Sequence, residues 1–126
     1  MGVLCKRIAH WYHSVVNARG AKAKGRGWQN HIRDLLREKY EGKLEPDDIT
    51  GTLMGEAGCD IKLSPAARKL FPWSVEAKRQ EKISLHAWWN QAKANCKEGT
   101  KPVIITKQNN KEPLVIMSLE DFMNLL

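Results

Sequence analysis

The chain has 126 residues, of which 42% are hydrophobic and 28% are charged, so it fits one globular domain rather than a disordered or fibrous protein. It contains no apolar run near the roughly 20 residues that a membrane span needs, and no signal-peptide pattern, so we expect a cytoplasmic protein without membrane association. Its three cysteines, Cys5, Cys59 and Cys96, have no C-x-x-C spacing, which argues against a disulfide framework and a structural zinc site.

The net charge of +7 is concentrated at the N-terminal end of the chain. Residues 1–33 contain seven basic residues and no acid, whereas basic and acidic residues balance over residues 34–126. A basic segment of this kind is the electrostatic footprint of a polyanion partner, although a solvated terminus has the same composition. The basic residues that we expect to contact nucleic acid are Arg19, Lys22, Lys24, Arg26 and Arg33.

The N-terminal third of the chain predicts two helices joined by a basic linker. Apolar residues recur at helical spacing over residues 3–17 and again over residues 28–41. Between these segments, residues 19–27 (RGAKAKGRG) contain three glycines and four basic residues, a composition typical of a flexible segment that lies along phosphates. We therefore divide the chain into a basic arm, residues 1–26, and a domain, residues 27–126.

The middle of the chain has the patterns of short strands. Two strands separated by a glycine-containing turn are predicted at residues 49–54 and 59–63. The dipeptide Ser64-Pro65 has the pattern of a helix N-cap followed by proline, which predicts a short helix up to residue 70. A third strand is predicted at residues 73–80.

The C-terminal part returns to helical periodicity and then alternates again. A helix is predicted at residues 84–97, with Trp88 and Trp89 on its apolar face, and it is followed by strands at residues 102–106 and 113–117. A last helix begins at a capping box that pairs Ser118 with Asp121. The order of elements predicts an α/β domain in which helices flank a single mixed sheet.

Three charged residues in this sheet form a candidate catalytic group. Alternation along the third strand puts Glu76 and Lys78 on the same face, and Asp60 belongs to the preceding strand. If these strands are neighbours, two carboxylates and a lysine meet at one end of the sheet, which is a suitable environment for Mg²⁺ and phosphate. A surface strand with an ordinary salt bridge would have the same Glu-x-Lys triplet.

The segments GCDIKLS, which carries Asp60, and VEAKRQ, which carries Glu76 and Lys78, resemble the motifs of the PD-(D/E)XK nuclease superfamily. The order of elements over residues 27–126 is similar to the α-β-β-β-α-β core of that restriction-endonuclease-like fold, with an extra strand and a C-terminal helix. The resemblance implies Asp60, Glu76 and the Ala77 carbonyl as ligands of Mg²⁺, which Mn²⁺ would replace. It implies Asp60, Glu76 and Lys78 as the catalytic residues, with Lys78 acting on the attacking water.

The chain departs from the superfamily pattern at two positions. Cys59 stands where the signature has proline, and Gln29 stands where the first helix often carries an acid. Glu56, in the turn before the second strand, is either a replacement carboxylate or a solvated turn residue. Gln91 matches a glutamine that faces the active site in related nucleases, or it is an ordinary amide on the flank of its helix.

We therefore expect a metal-dependent endonuclease that hydrolyses DNA and needs no small-molecule cofactor. Within the superfamily the chain is most similar to small phage and archaeal Holliday-junction resolvases, which implies DNA recombination, structure selectivity and a homodimer. The alternative is a non-catalytic DNA-binding module, either a degenerate nuclease fold or an antitoxin. Residues 101–126 resemble the start of Phd/YefM-type antitoxins, but that interpretation leaves Asp60, Glu76 and Lys78 without a role.

Overall fold

The structure, a computed structural model, describes residues 20–53 and 56–126. The elements are helix α1 (Gly20–Lys39), a 3₁₀ turn (Pro46–Asp48), strands β1 (Ile49–Gly51) and β2 (Ile61–Leu63), helix α2 (Pro65–Leu70), strand β3 (Trp73–Lys78), helix α3 (Leu85–Ala94), strands β4 (Lys101–Thr106) and β5 (Leu114–Ile116), and helix α4 (Leu119–Asn124). The helix predicted over residues 3–17, and Arg19, lie outside the described residues. Within the described part of the chain, no helix is both long and apolar enough to cross a membrane.

Helix α1 begins at Gly20 and not at residue 28, so the flexible linker predicted for residues 19–27 is wrong for residues 20–27. Its third and fourth turns bury Trp28 and Ile32 in the core, which fixes the helix at its centre. Once a helix is fixed, each further turn adds hydrogen bonds without a new nucleation cost, and alanine, lysine and arginine are good helix formers. The helix propensity of the alanine, lysine and arginine residues therefore exceeds the destabilising effect of the glycines in residues 20–27. The boundary predicted between residues 26 and 27 falls inside this helix.

The α/β class is confirmed, but the sheet is divided into two parts. Strands β1 and β2 form an antiparallel pair, whereas β4 lies between β3, which is parallel to it, and β5, which is antiparallel. A backbone hydrogen bond of 2.9 Å from the Asp60 N–H to the Val75 carbonyl connects the two parts. The predicted single sheet is interrupted here because the Asp60 carboxylate, and not a backbone carbonyl, accepts the next N–H of β3, that of Ala77.

Helices cover the two faces of the larger sheet. On one face, α1 packs Trp28 and Ile32 against Val75 and Val103, together with residues of β1, β2 and α2. The Trp28 indole also donates a hydrogen bond of 2.9 Å to the Ile105 carbonyl. The other face is covered by α3, whose core residues form a separate cluster. Its buried members are Trp88, Ala92 and Ile104, and Trp89 packs against them, so the core positions predicted for both tryptophans are confirmed.

The serine caps agree with the sequence prediction, whereas six strand ends do not, and three of these differ by two or three residues. Ser64 caps α2 by accepting a hydrogen bond of 3.1 Å from the Ala67 N–H, and Ser118 caps α4 through the Asp121 N–H at 3.0 Å. Strand β1 ends three residues earlier than predicted, β2 begins two residues later, and β3 ends two residues earlier. All three missing ends lie where the two sheets meet, so this junction is built by side chains and turns.

Candidate active site

The site lies where the β1–β2 pair meets β3, on the face of the sheet that α3 covers. Glu76 pairs in register with Ile104, which belongs to the α3 cluster, so the Glu76 side chain points to that face. Lys78 is two residues further along the strand and therefore shares the face. Asp60 immediately precedes β2 and reaches β3 through its own backbone and side chain. The predicted neighbouring positions of Asp60 and of the Glu76 strand are thus present.

Asp60 is held against β3 by two hydrogen bonds. Its N–H donates to the Val75 carbonyl, and its carboxylate oxygen Oδ2 accepts the Ala77 N–H at 2.7 Å. The N–H and C=O of one strand residue point to the same side of the strand. The Ala77 carbonyl therefore faces the Asp60 side, away from β4, as a third ligand would require.

Glu76 is almost completely buried, with 2% of its surface exposed. The side-chain amide of Asn95, the residue that ends α3, donates a hydrogen bond of 2.9 Å to its oxygen Oε1. This contact fixes the orientation of the carboxylate. No residue in the described part of the chain donates to the second oxygen, Oε2, or to Oδ1 of Asp60. Each carboxylate thus has one oxygen oriented by the protein and one available to a ligand.

Lys78 is held by the helix that covers the site. Its ammonium donates a hydrogen bond of 2.5 Å to the side-chain carbonyl Oε1 of Gln91, on α3. A neutral amide orients a lysine without neutralising its charge, unlike a carboxylate partner. The surface ion pair that would have explained the Glu-x-Lys triplet without catalysis is therefore not formed: the two charged residues are each bound by a different amide of α3 or its C-cap.

Burial dominates the electrostatics of the carboxylate pair. It raises the pKa of Asp60, and the hydrogen bond from Ala77 and the charge of Lys78 only partly offset that effect. Burial also raises the pKa of Glu76, and the nearby Asp60 charge adds to the rise, while Asn95 and Lys78 oppose it. Two carboxylates that resist ionisation beside each other have excess negative potential, which a bound cation would relieve.

The donor set suits a hard divalent cation that keeps several waters. Two carboxylate oxygens and the Ala77 carbonyl are the protein ligands that the geometry offers, and Mg²⁺ is commonly held by one or two carboxylates plus water and substrate phosphate. Within residues 20–53 and 56–126, no group of three or more histidine, cysteine, aspartate or glutamate side chains is placed to hold a metal ion.

A family model described as "Phage putative PDDEXK endonuclease" matches residues 20–126 of the chain. The chain belongs to this family. No curated protein and no solved structure is significantly similar to it. The match confirms the PD-(D/E)XK superfamily that the Asp60 and Glu76-x-Lys78 motifs predicted, and it begins at the first residue of α1.

Two accessory residues predicted for this member of the PDDEXK family bind groups other than the carboxylate pair. Gln29, on α1, donates a hydrogen bond of 3.0 Å to the Thr52 carbonyl at the end of β1, and a Cβ at Gly51 would lie 2.7 Å from its amide nitrogen. Gln29 thus connects α1 to the β1–β2 pair through Thr52, and the N–H of Thr52 in turn donates to the Asp60 carbonyl. Glu56 forms an ion pair with Lys62 and accepts the Leu53 N–H, which lowers its pKa.

Asn95 is the site residue that sequence reasoning missed. A signal for it existed, because Gln91 and Asn95 are four residues apart and four residues is the spacing that places side chains on one helix face. The structure shows the consequence: one face of the α3 C-terminus presents two amides to β3, one to Lys78 and one to Glu76. The predicted orientation of Gln91 toward the site is present.

The basic residues predicted to bind nucleic acid have different surroundings. Arg33 is paired with Asp34 at 3.0 Å, and Lys24 donates to the Asn109 side chain at 3.3 Å. Lys22 and Arg26 are exposed, and neither makes a hydrogen bond or ion pair within the described part of the chain. Among the described members of the predicted set, these two side chains on the first turns of α1 are the most available to phosphate.

Proposed function

We propose that the protein is a metal-dependent endonuclease that hydrolyses DNA phosphodiester bonds, with Asp60, Glu76 and Lys78 as its catalytic residues. One observation carries the proposal: a buried carboxylate, Glu76, and a half-buried one, Asp60, lie beside a lysine that an amide orients, and each carboxylate has an oxygen that no described residue binds. A purely structural role would pair these charges with each other or remove them from the core, because unpaired buried charge is costly.

Asp60, Glu76 and the Ala77 carbonyl would hold the cation, for which Mg²⁺ is the physiological candidate and Mn²⁺ a substitute. Such a cation supplies positive charge at the scissile phosphate and lowers the pKa of an attacking water. PDDEXK nucleases generally use divalent metals, and the raised pKa values of both carboxyls favour a site that is completed by a cation.

The chain's own residues orient the reaction. Lys78 would place its ammonium beside the phosphate and stabilise the charge that develops in the transition state. Gln91 holds Lys78, and Asn95 holds Glu76, so both groups keep their positions before substrate arrives. Such fixed positions reduce the reorganisation needed at the moment of reaction.

A second candidate function is DNA binding without cleavage. It is favoured by one observation: the amide of Gln29 is engaged with Thr52, so the first helix adds no charge to the site. The antitoxin alternative is less well supported, because β4 lies beside the strand that carries Glu76, and β5 pairs with β4. Four-way-junction selectivity, a role in recombination, action as a homodimer and a cytoplasmic location remain predictions, the first three from the resemblance.

The decisive experiment is cleavage of labelled four-way-junction, flap and linear DNA in the presence of Mg²⁺ or Mn²⁺. Asp60→Asn should abolish cleavage, because it removes charge but keeps an oxygen that accepts the Ala77 N–H. The exposed residue Asp47 provides a matched control, and Asp47→Asn should cut at the wild-type rate. A tenfold loss of rate corresponds to about 1.4 kcal/mol of activation free energy. If Asp60→Asn retains more than about a tenth of the wild-type activity, Asp60 is not a ligand of the catalytic cation.

A further inference from the structure

A cavity of about 390 Å³ lies beside the candidate active site, between β2, the start of β3 and the segment that follows α3. Asn95, which hydrogen-bonds Glu76, is part of its wall, and so is Ser74. Ser74 is two residues before Glu76, on the same face of β3, which places it about 7 Å away along the strand. The cavity therefore adjoins the carboxylate pair, because Asn95 both lines the cavity and hydrogen-bonds Glu76.

All charged residues among the described ones that line this cavity are basic. Lys62, Arg68 and Lys97 contribute the cations, and no lining residue in residues 20–53 or 56–126 is acidic. Lys62 is paired with Glu56, and Arg68 donates to the Leu63 carbonyl at 2.7 Å. The Lys97 side chain is exposed and makes no hydrogen bond or ion pair with the described residues, so its charge is available to an anionic ligand.

The cavity also has an aromatic wall. Trp73, the first residue of β3, lines it and is only half-buried, and it also packs against the core. A nucleic-acid base stacks well on such a ring, without preference for its identity. The volume lies within the range of small-ligand pockets, about 300–1,000 Å³.

We propose that this cavity binds one unpaired nucleotide of the DNA strand, next to the phosphate that is cut. The inference rests on the proposed nuclease function for the position of that phosphate. Trp73 stacks on the base, while Lys97 contacts the backbone phosphate that follows it. A nucleotide must leave a duplex stack to enter, so the cavity selects DNA that is single-stranded or easily opened beside the cut.

The test is DNA binding by the full chain in EDTA, where cleavage does not occur, measured by fluorescence anisotropy. The probes are a labelled twelve-nucleotide thymidine oligomer and an oligomer of the same length made of abasic residues. The variants are Lys97→Ala and, as control, Lys93→Ala, an exposed lysine of α3 that does not line the cavity.

We expect the wild type to bind the thymidine oligomer at least about fivefold more tightly than the abasic one, since one stacked base contributes that much or more. Lys97→Ala should lower the log–log salt slope for single strands by about 0.7, the contribution of one phosphate contact, and Lys93→Ala should leave the slope unchanged. Trp73→Leu should remove the preference for bases, and its melting temperature shows whether the variant is folded.

Equal binding of the two oligomers by the wild type, or equal salt slopes for the two lysine variants, would overturn the proposal. Tighter binding of a uridine RNA oligomer than of the thymidine oligomer would overturn the assignment to DNA. These outcomes are independent of the nuclease proposal, because binding in EDTA does not require Asp60. A chain that fails to cut DNA but passes this test retains the cavity as a nucleotide site.

Discussion

Replacing Glu76 with glutamine should stabilise the metal-free protein while abolishing its response to Mg²⁺. The side chain is 2% exposed, and burial together with the Asp60 charge raises its pKa. Glutamine has nearly the same volume, and its carbonyl oxygen can still accept the hydrogen bond from Asn95. Removing the charge should therefore increase the free energy of unfolding by about 1 kcal/mol, which is typical of a single stabilising substitution. That corresponds to a rise in melting temperature of about 4–8 °C for a domain near 100 residues.

The stabilisation should depend on pH, with a sign that the raised pKa determines. A carboxyl whose folded pKa lies above its unfolded value, 4.5 for Glu76, makes its full contribution to stability below the unfolded value. That contribution is lost as the pH rises through the folded pKa. Glu76→Gln lacks this loss, so wild type and variant should converge in strongly acidic buffer and differ most at neutral pH and above.

Thermal unfolding in EDTA and in Mg²⁺, over a pH series, measures both effects. At a Mg²⁺ concentration ten times its Kd, the wild type should gain about 1.4 kcal/mol of stability, and Glu76→Gln should gain almost nothing. Glu98→Gln is the matched control, since Glu98 is exposed and lies outside the site. A Glu76→Gln variant that melts lower than the wild type at neutral pH, or that Mg²⁺ stabilises as much as the wild type, would contradict this role of the buried charge.

Two further variants test the other charged groups. Lys78→Ala should slow single-turnover cleavage by about 10²–10³-fold, the usual effect of losing one fixed electrostatic contact, with DNA binding in Ca²⁺ nearly unchanged. Lys78→Arg should not restore the rate, because a planar guanidinium does not replace a compact ammonium; cleavage by Lys78→Ala at the wild-type rate would exclude the catalytic role. The double variant Lys22→Ala/Arg26→Ala should reduce the salt slope of duplex binding by about 1.8, two contacts at 0.9 each, with Lys43→Ala as an exposed control. An unchanged slope would show that the start of α1 does not contact phosphate.

The sequence predicts the helices and strands of the core well, because their side-chain periodicity reflects burial. Alternation along β3 correctly placed Glu76 and Lys78 on one face and Val75 on the other, because successive side chains of a β-strand point to opposite faces. The Ser64 and Ser118 caps were equally predictable, because each satisfies backbone N–H groups within its own turn. These features depend on residues that are close in sequence.

Features that depend on distant partners were not predictable in the same way. The start of α1 is determined by the burial of Trp28 against strands that follow much later in the chain. The break in the sheet arises because the Asp60 carboxylate takes the Ala77 N–H, a contact across 17 residues. The four-residue spacing from Gln91 indicates the helix face on which Asn95 lies, but its contact with Glu76 depends on how α3 lies on β3.

The double attachment of Asp60 makes one residue both the joint between two sheets and a candidate ligand. Its backbone N–H and its carboxylate form the hydrogen bonds that hold the β1–β2 pair against β3. Any movement of the pair therefore displaces the carboxylate, and anything that binds the carboxylate restrains the pair. By thermodynamic reciprocity, the free energy by which a bound ligand stabilises this joint equals the free energy by which the formed joint strengthens ligand binding.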